Sequence, residues 1–214
     1  MKQKNLKNHL PKDILTIRIH SGKLKGLGLQ LPSKTFTRPT KSILRESFFN
    51  TISHQIIGCT FIEGFGGSGS MGIEALSRGA TEVIFYEINP QIIHTLELNL
   101  NKALTRLDSL NNHNPKDKTP KTHIINQSFF SSLEMLQNIK NPTLLYLDPP
   151  FCIREGMQNI EQDCLNLIAK LCNPHIFLIA FEHISTTNLP QNLGKYVKIR
   201  TKKFGKSTIS YYTV

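Results

Sequence analysis

Two clusters in this 214-residue chain bring together residue types that chemistry needs. The first is Glu63-Gly64-Phe65-Gly66-Gly67-Ser68-Gly69-Ser70-Met71-Gly72. It satisfies the G-x-G-x-x-G spacing twice, at Gly64/Gly66/Gly69 and at Gly67/Gly69/Gly72. Such a run lets the chain leave a parallel strand, turn sharply against a ligand, and enter a helix. An acidic residue at the end of the next strand then takes ribose hydroxyls. Glu87 lies 21 residues after Gly66, close to the expected separation of about 20. The combination predicts a nucleoside cofactor, without separating a nicotinamide dinucleotide from S-adenosylmethionine (SAM).

The second cluster is Asp148-Pro149-Pro150-Phe151, directly after the apolar run Leu144-Leu145-Tyr146-Leu147. Two consecutive prolines fix the backbone and remove two N–H groups, which pre-organises a carboxylate and a carbonyl toward one spot. An exocyclic amine on a planar base needs two acceptors, one for each N–H, so that its lone pair points at an electrophilic methyl group. Asp148 and a backbone carbonyl near Pro149 supply the acceptors, and Phe151 the aromatic face. A methyl on a sulfonium is already activated, so catalysis there is mostly alignment.

No other cluster competes. The four cysteines form no C-x-x-C pair, which argues against a zinc knuckle or redox dithiol, and the eight histidines are scattered. Cys152 reads as a pocket filler, and Glu182 as a structural carboxylate, with a place in the pocket wall as its alternative. The formal net charge of +11 points to a polyanionic partner, nucleic acid before membrane. That charge is uneven. Residues 1–60 carry 11 basic and 2 acidic side chains, residues 61–160 carry 8 and 10, and residues 161–214 carry 7 and 3. A near-neutral centre between basic ends suits a small-molecule pocket flanked by a phosphate-binding surface. No apolar run approaches the roughly 20 residues of a membrane span, and the basic N-terminus lacks the apolar core of a signal peptide.

The elements that must hold these clusters read as alternating β and α. Ile14–Leu31 gives short strands joined by glycine turns. A helix follows over Ile43–Ile52, with Thr40 or Ser42 as its N-cap. Strands are expected at Cys59–Glu63, Glu82–Tyr86, Thr122–Asn126, Thr143–Leu147 and Ile176–Phe181. Helices are expected at Ile73–Arg78, Pro90–Lys102, Leu133–Ile139 and Asn159–Leu171. A closing pair spans Val197–Lys203 and Thr208–Val214, and residues 108–122 read as a polar surface loop. Such alternation predicts a mostly parallel sheet covered by helices on both faces.

From about Thr16 to Val214 the chain resembles the RsmD family of 16S ribosomal RNA guanine-N2 methyltransferases. The resemblance rests on Arg18-Ile19-His20-Ser21-Gly22-Lys23 with Gly26, on Arg38-Pro39-Thr40 followed by Arg45-Glu46-Ser47-Phe48-Phe49-Asn50, on Phe65 to Ala80, on Glu87, and on Asp148 to Phe151. It implies a Rossmann-like class I methyltransferase fold: a mostly parallel seven-stranded sheet with an antiparallel C-terminal edge and a small N-terminal β-hairpin extension. It implies SAM as cofactor, lined by Thr40, Glu63, Phe65, Gly66, Gly67, Ser68, Gly69, Glu87, Ile88, Ser128, Phe129 and Asp148. Catalysis would fall to Asp148, Pro149 and Phe151. Contacts to RNA would fall to Arg18, Lys23, Lys25, Arg38, Arg45, Pro150 and Phe151, with Arg38 and Arg45 alternatively bracing the pocket.

On this reading residues 1–13 form a basic arm, 14–57 the extension and 58–214 the SAM-binding domain. The partner is 16S ribosomal RNA, within the small subunit or its assembly intermediate, and the protein is a cytoplasmic monomer. The same acceptor corner would serve an adenine in DNA or a glutamine amide. A nicotinamide oxidoreductase and a non-catalytic nucleic-acid-binding module are the other rivals.

Overall fold

The computed structural model describes residues 15–32, 39–111, 119–150 and 159–214. A hairpin of β1 (Thr16–Arg18) and β2 (Gly28–Gln30) leads to α1 (Pro39–Thr51). Alternation then begins: β3 (Thr60–Glu63), α2 (Ser70–Ser77), β4 (Glu82–Tyr86), α3 (Pro90–Asn111), β5 (Lys121–Ile125), α4 (Leu133–Asn138), β6 (Thr143–Leu147), α5 (Ile160–Lys170) and β7 (Ile176–Ile184). The two-residue β8 (Asn192–Leu193) precedes the long hairpin of β9 (Tyr196–Phe204) and β10 (Ser207–Thr213).

The main sheet has the order β5-β4-β3-β6-β7-β10-β9-β8. Its first five strands are parallel, and β10 inserts antiparallel between β7 and β9. The class I architecture and its antiparallel edge are as expected. The strand number is eight rather than seven, because β8 adds a short edge rung against β9. Strand order reverses between β3 and β6, so a crevice opens at their carboxyl ends, where an open α/β sheet binds ligands.

The central parallel strands β3, β4, β6 and β7 are mostly apolar and buried on both faces, as strands covered on both sides are. On β6, Leu144 and Tyr146 join one core layer and Leu145 and Leu147 the other; on β3, Phe61 and Ile62 divide in the same way. The first layer also holds Ile19, Leu24, Leu27 and Leu29 of the hairpin with Phe48 and Phe49 of α1. The hairpin is tied to this layer by polar contacts. The buried Glu74 carboxylate accepts from His20 N and Ser21 N at 2.8 and 3.1 Å. Buried Asn99 pairs with the Gln30 backbone and also donates to Ser68 O at 2.9 Å.

Several element boundaries differ from expectation. Helix α1 starts at Pro39, whose locked φ suits a first helical turn, so Thr40 and Ser42 lie inside the helix rather than capping it. Helix α2 starts at Ser70 and takes Met71 and Gly72 out of the glycine turn. Helix α3 runs to Asn111, because buried Ala103 and Leu107 continue the apolar face of Leu96 and Leu100. The supposed loop 108–122 is therefore helical at its start and enters β5 at its end, while residues 112–118 lie outside the described ones. Strand β7 continues three residues past Phe181, into Glu182, His183 and Ile184. Among the described residues, no helix is long and apolar enough to cross a membrane.

Candidate active site

At the end of β3 the Glu63 side chain turns inward and is buried; its Oε2 accepts from Gly72 N at 2.8 Å, near the start of α2. Burial pushes the Glu63 carboxyl well above the ordinary range. The turn itself is pinned from β4, with Gly66 N donating to Tyr86 O at 2.7 Å. Glu87, just after β4, organises its far side. Its Oε2 accepts from Gly67 N at 3.0 Å, and its Oε1 accepts from Ile88 N and Asn89 N, both at 2.9 Å. Gly67 holds a φ of 51°, and a Cβ there would meet nothing within 4 Å, so bare backbone faces open space.

That space is a cavity of about 540 Å³ between the glycine turn, the hairpin and α1, within the range of small-molecule sites. Glu63, Phe65, Gly66, Gly67 and Ser68 line one side, and Asp148, Tyr146 and Glu182 line another. Asp148 follows β6 directly, at the crevice between β6 and β3, with buried Pro149 behind it.

Asp148 does not stand alone. Lys41, in the first turn of α1, donates to Asp148 Oδ2 at 2.7 Å and to Glu182 Oε1 at 2.5 Å. Glu182 is fully buried on β7, and its Oε2 accepts from Tyr146 OH at 2.8 Å. Burial first, and the Glu182 charge second, push the Asp148 carboxyl up to about 6, against the opposing pull of Lys41. Burial alone would lower the Lys41 ammonium, but the Asp148 and Glu182 carboxylates outweigh it and raise it. Burial, reinforced by Glu182, carries the Tyr146 hydroxyl well above its usual range, so it stays a neutral donor.

The structure thus brings Glu63, Phe65, Gly66, Gly67, Ser68 and Asp148 to one cavity. Arg18, exposed on β1, lines its mouth. Gly69, Glu87, Ile88, Ser128 and Phe129 do not line it. Phe129 is buried beneath the turn against Phe65 and Tyr86, a packing position rather than a wall. Ser128 is exposed, and its hydroxyl accepts from Phe130 N at 3.3 Å. Lys23 and Lys25 are exposed on the hairpin. Of the two roles open to Arg45, the structure favours bracing over phosphate contact. Its guanidinium is buried, donates to Arg18 O at 2.8 Å and lies 3.8 Å from Glu74. Arg38, Phe151, Cys152 and the arm 1–13 lie outside the described residues, as does the Thr40 side chain.

The sequence patterns assign no role in this arrangement to four of its residues: Lys41, Glu74, Asn99 and Tyr146. Glu74 had a readable signal, since one acid inside the apolar run Met71–Leu76 needs a buried partner. Lys41 and Asn99 had none, because their partners lie far away in sequence. Burial pushes the Cys59 thiol up to about 12 and raises Cys164 too, so neither is an activated nucleophile.

Comparison with known proteins gives a consistent picture. Residues 17–213 match the family model described as conserved hypothetical protein 95. Ribosomal RNA small subunit methyltransferase D of Haemophilus influenzae is 32% identical over 150 residues, 70% of this chain and 72% of that protein. A candidate rRNA methyltransferase of Bacillus subtilis, YlbH, is 27% identical over 201 residues, 92% of this chain and 98% of its own. An Escherichia coli structure described as a candidate methyltransferase, yhhF, superposes with a TM-score of 0.66 at 26% identity, covering 93% of this chain and 98% of that one.

Proposed function

Because the chain belongs to the family described as conserved hypothetical protein 95, the RsmD family, we propose that it transfers a methyl group from SAM to the exocyclic N2 amine of a guanine in 16S ribosomal RNA. The observation that carries this reading is the placement of Asp148 at the mouth of β6, across one cavity from Glu63 and the glycine turn.

The residues present fit SAM. Bare backbone at Gly67 leaves room for the nucleoside to lie close. Glu87 Oε2 accepts one hydrogen bond in the protein and keeps a lone pair for a ribose hydroxyl. The carboxylates of Asp148 and Glu182 in the walls, sharing one Lys41 ammonium, favour a cationic ligand. SAM, when bound, supplies a methyl group made electrophilic by its sulfonium.

The protein's own contribution is alignment. The Asp148 carboxylate accepts one N–H of the target amine, and a carbonyl near Pro149 accepts the other. Phe151 and Pro150 hold the face of the base. Once the methyl has passed from sulfur to the amine nitrogen, leaving a neutral thioether, Asp148 would take the proton that the nitrogen sheds. Arg18, Lys23 and Lys25, all on the hairpin, contact phosphates around the extruded base. We place the reaction in the cytoplasm, on the small subunit or its assembly intermediate, with the protein acting as a monomer.

The test is incubation with methyl-labelled SAM and small subunits from cells lacking the gene, followed by mass spectrometry of the digested RNA, with Asp148→Ala alongside. Labelled N2-methylguanosine, lost in the variant, is the expected result. Label on another nucleoside, or none in RNA with SAM still bound, overturns the assigned substrate.

A further inference from the structure

The acceptor corner contains more than the Asp-Pro-Pro-Phe segment. Two carboxylates, Asp148 and Glu182, share the one Lys41 ammonium, at 2.7 and 2.5 Å. Among the described residues, Lys41 is the cation in ion-pair contact with either of them. Glu182 cannot turn away: its side chain is fully buried, and its second oxygen is held by the Tyr146 hydroxyl. Asp148, by contrast, is 32% exposed and opens to the cavity. Lys41 therefore spans a fixed, fully buried acid and a half-buried one that reaches the cavity.

We propose that Lys41 is a positioning residue for methyl transfer: tethered by Glu182, its ammonium keeps the Asp148 carboxylate charged and aimed at the target amine. The inference rests on the reading of Asp148 as the amine acceptor.

The charges facing Asp148 from each neighbouring element support it. Helix α1 supplies Lys41 and, further off, Arg45. Strand β7 supplies the Glu182 carboxylate, β3 the buried Glu63, and β6 the neutral Tyr146 hydroxyl. Glu182 opposes ionisation of Asp148, and the Asp148 charge in turn helps hold Glu63 protonated. Arg45 is engaged with the Arg18 carbonyl and Glu74. Lys41 is thus what offsets the buried Glu182 charge at the point where Asp148 must stay ionised. A neutral, protonated Asp148 would offer an O–H and lose an acceptor site just where the amine presents its hydrogens. The corner with Lys41 in place carries a net charge of −1 over Asp148, Glu182 and Lys41, which also suits the positive charge that develops on the attacking nitrogen.

The experiment compares kcat/KM against pH, with small subunits as substrate, for the wild type, Lys41→Met, Lys41→Arg, Glu182→Gln, the double variant Lys41→Met with Glu182→Gln, and Asp148→Asn. A close opposite charge moves a carboxyl by about 1–3 pH units. Lys41→Met should therefore shift the acidic limb upward by about that much, with activity recovering as pH is raised. Lys41→Arg should keep the limb near its original place. Glu182→Gln by itself should move the limb to lower pH, and in the Lys41→Met background should return it toward the wild type. That arm also decides the matter if Lys41→Met does not fold. A Lys41→Met limb unmoved, or a kcat/KM above the wild type, would overturn the proposal, the latter by showing an ammonium that merely blocks the site. Activity retained by Asp148→Asn would instead bring down the acceptor reading beneath it.

Discussion

Two glycines of the N-terminal hairpin form a matched pair. Gly22 and Gly26 have nearly the same backbone, with φ of 82° and 83°. A side chain at either costs about 1–2 kcal/mol for the left-handed conformation alone. Their surroundings differ. A Cβ at Gly26 meets nothing within 4 Å, whereas one at Gly22 would sit 1.9 Å from the Ser77 carbonyl oxygen of α2. That oxygen is helix backbone and cannot rotate aside, so the hairpin must lift. Lifting breaks the bonds from Lys23 N to Ser77 O and from Leu24 N to Ser77 Oγ, at 2.8 and 2.9 Å. Each is worth about 1 kcal/mol net. Gly22→Ala should then cost roughly 2 kcal/mol more than Gly26→Ala. For a chain of this size that separates their melting temperatures by about 4–8 °C. Because Arg18 and His20 of the same hairpin line the cavity, Gly22→Ala should also weaken cofactor binding more than Gly26→Ala. Differential scanning calorimetry and titration calorimetry read both effects. Equal melting temperatures for the two variants would refute the claim that the hairpin is seated through its backbone on α2.

Three further outcomes follow from the site. The Asp148 carboxyl is pushed up to about 6 and works as the carboxylate, so wild-type kcat/KM should climb with pH through a midpoint near 6; a flat profile from pH 5 to 8 would contradict it. Glu63 titrates well above its unfolded value, so its favourable contribution is complete below about pH 4.3 and fades as pH rises. Glu63→Gln should therefore gain stability relative to the wild type between pH 5 and 8, and denaturant unfolding at both pH values would show a constant difference if this is wrong. Glu87→Ala removes a charged acceptor from the turn and from the proposed ribose contact, which should weaken SAM about 10–150-fold; titration calorimetry showing unchanged affinity would move the ribose elsewhere.

The parts of this molecule legible in the sequence are those fixed by local pattern. The expected bounds of β4 and β6 match the structure, because each is an apolar run that ends at an acid shortly before a proline. Glu63, the glycine turn and Asp148 fall in one cavity because the β/α alternation puts consecutive strand ends on one edge of the sheet. A buried aromatic and a wall aromatic look alike in sequence: Phe129 packs beneath the turn, and Phe130 is the more exposed of the pair. Helix α3 was cut short because polar residues around Asp108 hide an apolar face that continues through Leu107. Lys41 was invisible for a different reason. Its partners lie 107 and 141 residues away, and no spacing rule links a residue in a first helical turn to two strand ends that only the sheet order brings together.

The distribution of charge resolves an ambiguity that the glycine spacing leaves open. The chain carries a net +11, yet the cavity walls hold Glu63, Asp148 and Glu182, with the lining cations Arg18, Lys41 and Arg45 all engaged in protein contacts. A dinucleotide would bring an anionic pyrophosphate to the turn and set it against these acids, with the Glu87 carboxylate already on Gly67 N. A sulfonium cofactor brings a positive centre to the same acids. Outside, the exposed Arg18, Lys23 and Lys25 of the hairpin and Arg200 and Lys203 of β9 face a solvent through which a polyanion can be drawn. An acidic interior inside a basic shell is what one protein needs to hold a cationic donor and a nucleic-acid acceptor together, because each ligand is attracted by a different layer and neither is repelled at the point where it must sit.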